Sequence, residues 1–206
     1  MLQQQQPSKD WLTVPNMITL FRIAGIPVLF MLLMQEHYHV ALAWFLVLVL
    51  SDGLDGWTAR RFHWVSEVGI TLDPFADKVL VVPLLWYFWV HDIFSDERGF
   101  VFVLMLTLRE ILVTIFRVVA GRYGVQTPAQ FFGKVKGIFE YAAIALIIAG
   151  YYDSGEIMLG WAVLFAIISL VQYIFTIDFL FNAVVSALAK IYRYTHRVTC
   201  KRLFFS

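Results

Sequence analysis

Only one cysteine, Cys200, occurs in the 206 residues, so no intrachain disulfide can form. Charge is scarce as well: Asp, Glu, Lys and Arg make up 15% of the chain, against ~25% in soluble domains, which weighs against a soluble helical core. The alternating segments of about ten residues that mark a membrane β-barrel are missing, and stretches such as VALAWFLVLVL (Val40 to Leu50) are apolar throughout. The opening MLQQQQPSKDWLTVPN lacks the charged region, short apolar stretch and cleavage site of a secretory signal. The first apolar helix is therefore expected to stay in the mature protein. An Arg- and Ser-rich transit segment is also lacking, so the expected location is a bacterial inner membrane rather than a mitochondrial one.

What the chain does have is apolar surface, with 60% hydrophobic and 17% aromatic residues. A spanning helix needs about 20 mainly apolar residues. Six stretches qualify: Met17 to Met34, His39 to Ala59, Asp73 to Val90, Phe100 to Ala120, Phe131 to Tyr151, and Ile157 to about Leu180. The expected fold is all-α and polytopic, with an N-terminal segment over 1–16, a six-helix domain over 17–181 and a basic tail over 182–206. Lys9 to Val14, with Trp11 among polar neighbours, has the makings of a short interfacial helix.

Threading six helices through a bilayer puts both termini on one side, together with the Lys and Arg residues other than Arg98 and the mid-span Arg109. The opposite loops hold Glu36, Asp92, Asp96, Glu97, Asp153 and Glu156. The positive-inside rule makes the basic side cytoplasmic. The tail KIYRYTHRVTCKRLFFS suits either an anionic lipid surface or a solvated helix end. It is short and sits beside a span, which argues against nucleic acid as a partner.

Against this background four aspartates stand out. Asp52, Asp55, Asp73 and Asp77 lie in the run DGLDGWTARRFHWVSEVGITLDPFAD, whose skeleton is Asp-x2-Asp-Gly-x2-Ala-Arg-x8-Gly-x3-Asp-x3-Asp. Spacings of three and four put each pair on one helix face. Carboxylates at membrane depth are costly unless they meet a cavity or a partner. Four hard oxygen donors favour two Mg²⁺ or Mn²⁺ ions over zinc, and a two-ion site clamps a phosphodiester or diphosphate. Gly56, Ala59 and Gly69 are small enough for close helix approach or for a flat ligand lying against backbone. Arg60 can neutralise a diphosphate, whereas Arg61 reads as an interfacial anchor. The aspartate pattern has no second copy after Phe100, which argues against a transporter built from repeats.

The run from Asp52 to Asp77 resembles the signature of the CDP-alcohol phosphotransferases, with each of its motif positions matched. The resemblance implies six transmembrane helices around a polar cavity open to the cytoplasm, a homodimer, and two divalent ions on Asp52, Asp55, Asp73 and Asp77. It also implies that the CDP-lipid binds at Asp52, Gly56, Ala59, Arg60 and Gly69, and that Asp77 acts as general base. Three further segments extend the likeness: PNMITLFRI (Pro15 to Ile23), LDPFADKVL (Leu72 to Leu80), and LRE with FR and GKVK, which supply Arg109, Glu110, Arg117, Gly133, Lys134 and Lys136. These resemble the members that join CDP-diacylglycerol to sn-glycerol 3-phosphate. Phosphatidylglycerol and an inositol phosphate are the alternative acceptors.

Arg109, Lys134, Lys136 and Arg117 are then the expected site for the glycerol 3-phosphate dianion. Arg109 lies halfway along its span, so a bound phosphate or the neighbouring Glu110 must balance it. Lys134 and Lys136 lie two apart and face differently on a regular helix. Relatives usually read Gly-Lys-x-Lys-Thr, and here Gly137 takes the last position.

Overall fold

The computed structural model describes residues 14–62, 67–94, 97–122 and 131–175, with side chains for 16–54, 75–94, 97–119 and 131–175. All regular structure among them is helical: α1 (Val14–Met34), α2 (Tyr38–Phe62), α3 (Glu67–Val90), α4 (Arg98–Arg122), α5 (Phe131–Ile148) and α6 (Tyr152–Phe175). Each coincides with an expected apolar stretch. The interfacial helix expected at Lys9 to Val14 and the basic tail fall almost wholly outside the described residues.

Helix ends differ from the apolar boundaries for a physical reason. Backbone hydrogen bonding does not stop where polar residues begin, so α2 runs past Ala59 to Phe62 and α3 starts at Glu67 rather than Asp73. Among the described residues three helical stretches are long and apolar enough to cross a membrane: Asn16–Met34, Arg98–Val119 and Tyr152–Phe175. Among the described residues α2 contributes a shorter apolar helix, Tyr38–Leu54.

Helices α1, α3 and α5 end in the same way. After α1, His37 N–H donates to Leu32 O and Glu36 N–H to Leu33 O; Ile93 and Asp92 do the same to Phe88 and Trp89, and Tyr151 and Gly150 to Leu146 and Ile147. This is the Schellman arrangement, which satisfies otherwise orphaned carbonyls and needs a residue of positive φ. Glu36 (59°), Asp92 (51°) and Gly150 (87°) supply it. Each cap reverses the chain into the next helix, giving three helical hairpins.

The core is aliphatic and aromatic, with Leu29, Phe45, Leu48, Leu84, Leu85, Phe88, Leu106, Ile144 and Leu159 fully enclosed or nearly so. Helix α1 packs on α2 and α3, α3 on α4, and α5 against α2 and α3. The α1–α2 approach is close: Trp44 Nε1 donates to Gly25 O at 2.9 Å, and a Cβ on Gly25 would lie 2.7 Å from Leu48 Cδ2. A larger residue there would have to push the Leu48 side chain aside. Helix α6 is held by ring contacts, Phe165 stacking on Phe132 and Phe139 of α5, and Tyr173 on Phe116 of α4. Leu20, Met31, Leu50, Ile111, Ile115 and Ile167 project outward, a distribution suited to lipid.

Candidate active site

Helix α1 carries Asn16, Thr19 and Arg22 at intervals of three, and all three are buried. Arg22 has no exposed side-chain surface. Its Nη1 lies 2.6 Å from Asp52 Oδ1 and 2.8 Å from Asp77 Oδ1. One guanidinium nitrogen thus joins carboxylates from α2 and α3, and these two aspartates remain partly open, with 31% and 40% of their side-chain surface exposed. Charge counting placed Arg22 merely on the basic side of the membrane; the structure makes it an internal cation.

A second charged group lies between α4, α5 and α6. Arg109 Nη1 meets Glu110 Oε1 at 2.7 Å, and Nη2 donates to Ser169 Oγ at 2.8 Å. Lys136, which is buried, donates to Glu110 at 3.0 Å and also to Glu140. Glu110 therefore balances Arg109, one of the two possibilities the sequence offered. Gly133 makes room for this: a Cβ there would stand 3.1 Å from Arg109 Nη2. Arg117 and Lys134 are exposed. Lys78, on α3, donates to Thr114 of α4.

Two adjoining cavities connect the groups. One, of about 180 Å³, is lined by Asp77, Arg109, Glu110, Lys136 and Glu140 among others. The other, of about 360 Å³, is lined by Asp77, Arg109, Arg117, Lys134, Ser169 and Tyr173 among others, a volume within the ~300–1,000 Å³ of small-molecule sites. A carboxylate from the aspartate cluster thus opens into the same space as the expected phosphate-binding cations. Lys134 and Lys136 line different cavities, in keeping with their different faces.

Gly56, Ala59 and Arg60 lie within α2 and Gly69 and Asp73 within α3, as does Asp55 in α2, but their surroundings and side chains are outside the described part. Among the described residues no three Asp, Glu, His or Cys side chains gather as a metal site. The donors that are described fit a hard divalent cation. Carboxylate oxygens from two helices already converge on one positive nitrogen, so the place is built to stabilise positive charge.

Sequence reasoning did not single out as site residues Arg22, which pairs with Asp52 and Asp77, or the cavity-lining Glu140, Tyr141, Ser169 and Tyr173. Glu140 follows Lys136 by four, and Ser169 precedes Tyr173 by four in a mostly apolar run. Polar pairs at one-turn spacing inside apolar helices were the available signal.

Helices suited to a bilayer, around an aspartate pair that opens toward a basic cavity, suit a membrane enzyme acting on phosphorylated substrates. The profile of the CDP-alcohol phosphatidyltransferase family matches residues 12–177, and the chain belongs to that family. It is 32% identical over 169 residues to a "Probable phosphatidylglycerophosphate synthase" of Mycobacterium tuberculosis, covering 77% of this chain and 78% of the relative. It is 30% identical over 171 residues to a "CDP-diacylglycerol--glycerol-3-phosphate 3-phosphatidyltransferase" of Rickettsia bellii, covering 78% and 92%. A "Cardiolipin synthase (CMP-forming)" of Streptomyces coelicolor is 28% identical over 162 residues, covering 73% and 74%. The protein is thus a phosphatidyltransferase, and the transporter reading is set aside.

Proposed function

We propose that this chain transfers the phosphatidyl group of CDP-diacylglycerol to sn-glycerol 3-phosphate, giving phosphatidylglycerol phosphate and CMP. The observation that carries the reading is the shared cavity, in which Asp77 faces the same space as Arg109, Arg117 and Lys134. An acceptor whose phosphate rests on those cations can present its hydroxyl to Asp77. The names of the Mycobacterium and Rickettsia relatives support this acceptor.

Asp52, Asp55, Asp73 and Asp77 would hold two Mg²⁺ or Mn²⁺ ions, whose charge offsets that of the diphosphate. Arg60, with Gly56, Ala59 and Gly69, receives the CDP moiety. Asp77 takes the proton of the acceptor's 1-hydroxyl, the oxygen attacks the phosphorus bearing diacylglycerol, and the bond from that phosphorus to the CMP oxygen breaks. Arg109 is already fixed by Glu110 and Ser169, so it needs little reordering to meet the phosphate. Lys136 is engaged with Glu110 and Glu140, and its contribution is to set the charge of the cavity wall.

The wider arrangement in this reading is six transmembrane helices around a cytoplasm-facing cavity, in a bacterial inner membrane and as a homodimer. The test is CMP release by purified protein in detergent with CDP-diacylglycerol and Mg²⁺ or Mn²⁺. Glycerol 3-phosphate, phosphatidylglycerol, inositol phosphate and serine are offered separately. Glycerol 3-phosphate is expected to support turnover at least tenfold faster than the others. Turnover confined to phosphatidylglycerol would instead assign the reaction named for the Streptomyces relative.

A further inference from the structure

Helix α6 is apolar over most of its length, yet Ser169 is fully buried and Tyr173 is 3% exposed. Their spacing of four puts them on one helix face. Both line the cavity of about 360 Å³ that Asp77 opens into. Ser169 Oγ accepts from Arg109 Nη2 and Glu110 from Nη1, so the guanidinium is gripped on two sides. Its Nε is buried without a hydrogen-bond partner among the described residues, and the same is true of the Tyr173 hydroxyl.

Buried donors without acceptors are uncommon in folded proteins, and each needs a reason. Packing does not supply one for the Tyr173 hydroxyl. The ring stacks on Phe116 with centroids 6.4 Å apart and planes 21° apart, contacts that phenylalanine would make equally well. Two orphaned donors in the wall of one cavity, close to exposed Arg117 and Lys134, match a ligand rich in acceptor oxygens. A phosphomonoester offers three such oxygens.

We propose that Tyr173 is a binding residue for the acceptor's phosphate, its hydroxyl donating to a phosphate oxygen beside Arg109, and that Ser169 is a positioning residue that holds Arg109. This deepens the acceptor reading above and rests on it. Helix α6 thereby enters a site otherwise built from the first five helices. A hydroxyl adds no charge, so its role is to select acceptor oxygens while the cations supply attraction.

The test compares wild type with Tyr173→Phe as full-length protein in detergent. The variant should raise the KM for glycerol 3-phosphate about tenfold, as expected for a lost hydrogen bond to a charged group. Its kcat and its KM for CDP-diacylglycerol should stay within about twofold. Ser169→Ala should show the same split at smaller size. In parallel, inorganic phosphate should raise the Tm of wild type and leave that of Tyr173→Phe nearly unmoved. If the wild type rejects glycerol 3-phosphate, the acceptor reading fails, and the phosphate shift alone then decides the role of Tyr173. A phosphate shift equal in the two proteins, nil included, overturns the inference, as does an unchanged KM for glycerol 3-phosphate.

Discussion

Arg22 satisfies two carboxylates at once and is itself wholly buried. Removing one partner of a buried ion pair typically costs about 3–5 kcal/mol, because the other charge stays behind. Asp52 and Asp77 keep part of their surface exposed, so solvent reduces the loss, and Arg22→Ala should destabilise by about 1–3 kcal/mol. Arg22→Lys retains the charge without the planar fork, so it should recover most of the stability but only part of the CMP release. Thermal unfolding and turnover of the two variants check this. Wild-type Tm and turnover in Arg22→Ala would show that the aspartates are held by something else. The aspartates are legible in the sequence because their spacings are fixed and carboxylates are costly in an apolar run. Arg22 is not, since a lone Arg in such a run reads equally well as an interfacial anchor. Only burial against two other helices sets it apart. Lys136 shows the same limit: its place beside Lys134 suggests a shared ligand, and the fold turns it toward Glu110 and Glu140 instead.

At the scale of elements, the six helices are readable because each is announced by a continuous apolar stretch, but their ends are set by caps that leave weaker traces. Gly150 is the expected residue for positive φ; Glu36 and Asp92 occupy the equivalent positions after α1 and α3. An L-residue there costs roughly 1–2 kcal/mol relative to glycine, while glycine loses about 0.5–1 kcal/mol more conformational freedom on folding. Glu36→Gly and Asp92→Gly should each therefore stabilise by roughly 0.5–1 kcal/mol. Gly150→Ala should cost roughly 0.5–1 kcal/mol by the same reasoning. Tm values in detergent report all three, and a fall in Tm for Glu36→Gly would mean that its side chain has a role beyond the cap. None of the three positions touches the cavities, so turnover at moderate temperature should be unaltered.

Across the whole molecule, the two ends of the bundle are chemically unlike. Leu33, Tyr38, Tyr87, His91, Ile147 and Tyr152 line one small cavity, so the ends of α1, α3 and α5 meet the starts of α2 and α6 at one pole. The Asp77 cavities are lined by residues far from those helix ends. The capped turns carry Glu36, Asp92 and Asp153 nearby, whereas most Lys and Arg fall to the other side when the chain is threaded. If the basic pole is cytoplasmic, the single cysteine makes the arrangement directly measurable. Cys200 follows α6 in the chain and Asp153, which is exposed, lies near the start of that helix. In the six-span reading proposed above, one crossing separates them. A membrane-impermeant maleimide should label Cys200 in inverted vesicles and not in right-side-out ones. Asp153→Cys in a Cys200→Ser background should show the reverse. Labelling of both positions from the same side would remove α6 as a span. Reversal of both would place the Asp77 cavity on the outer face, where the cytoplasmic supply of a soluble phosphorylated acceptor could not reach it.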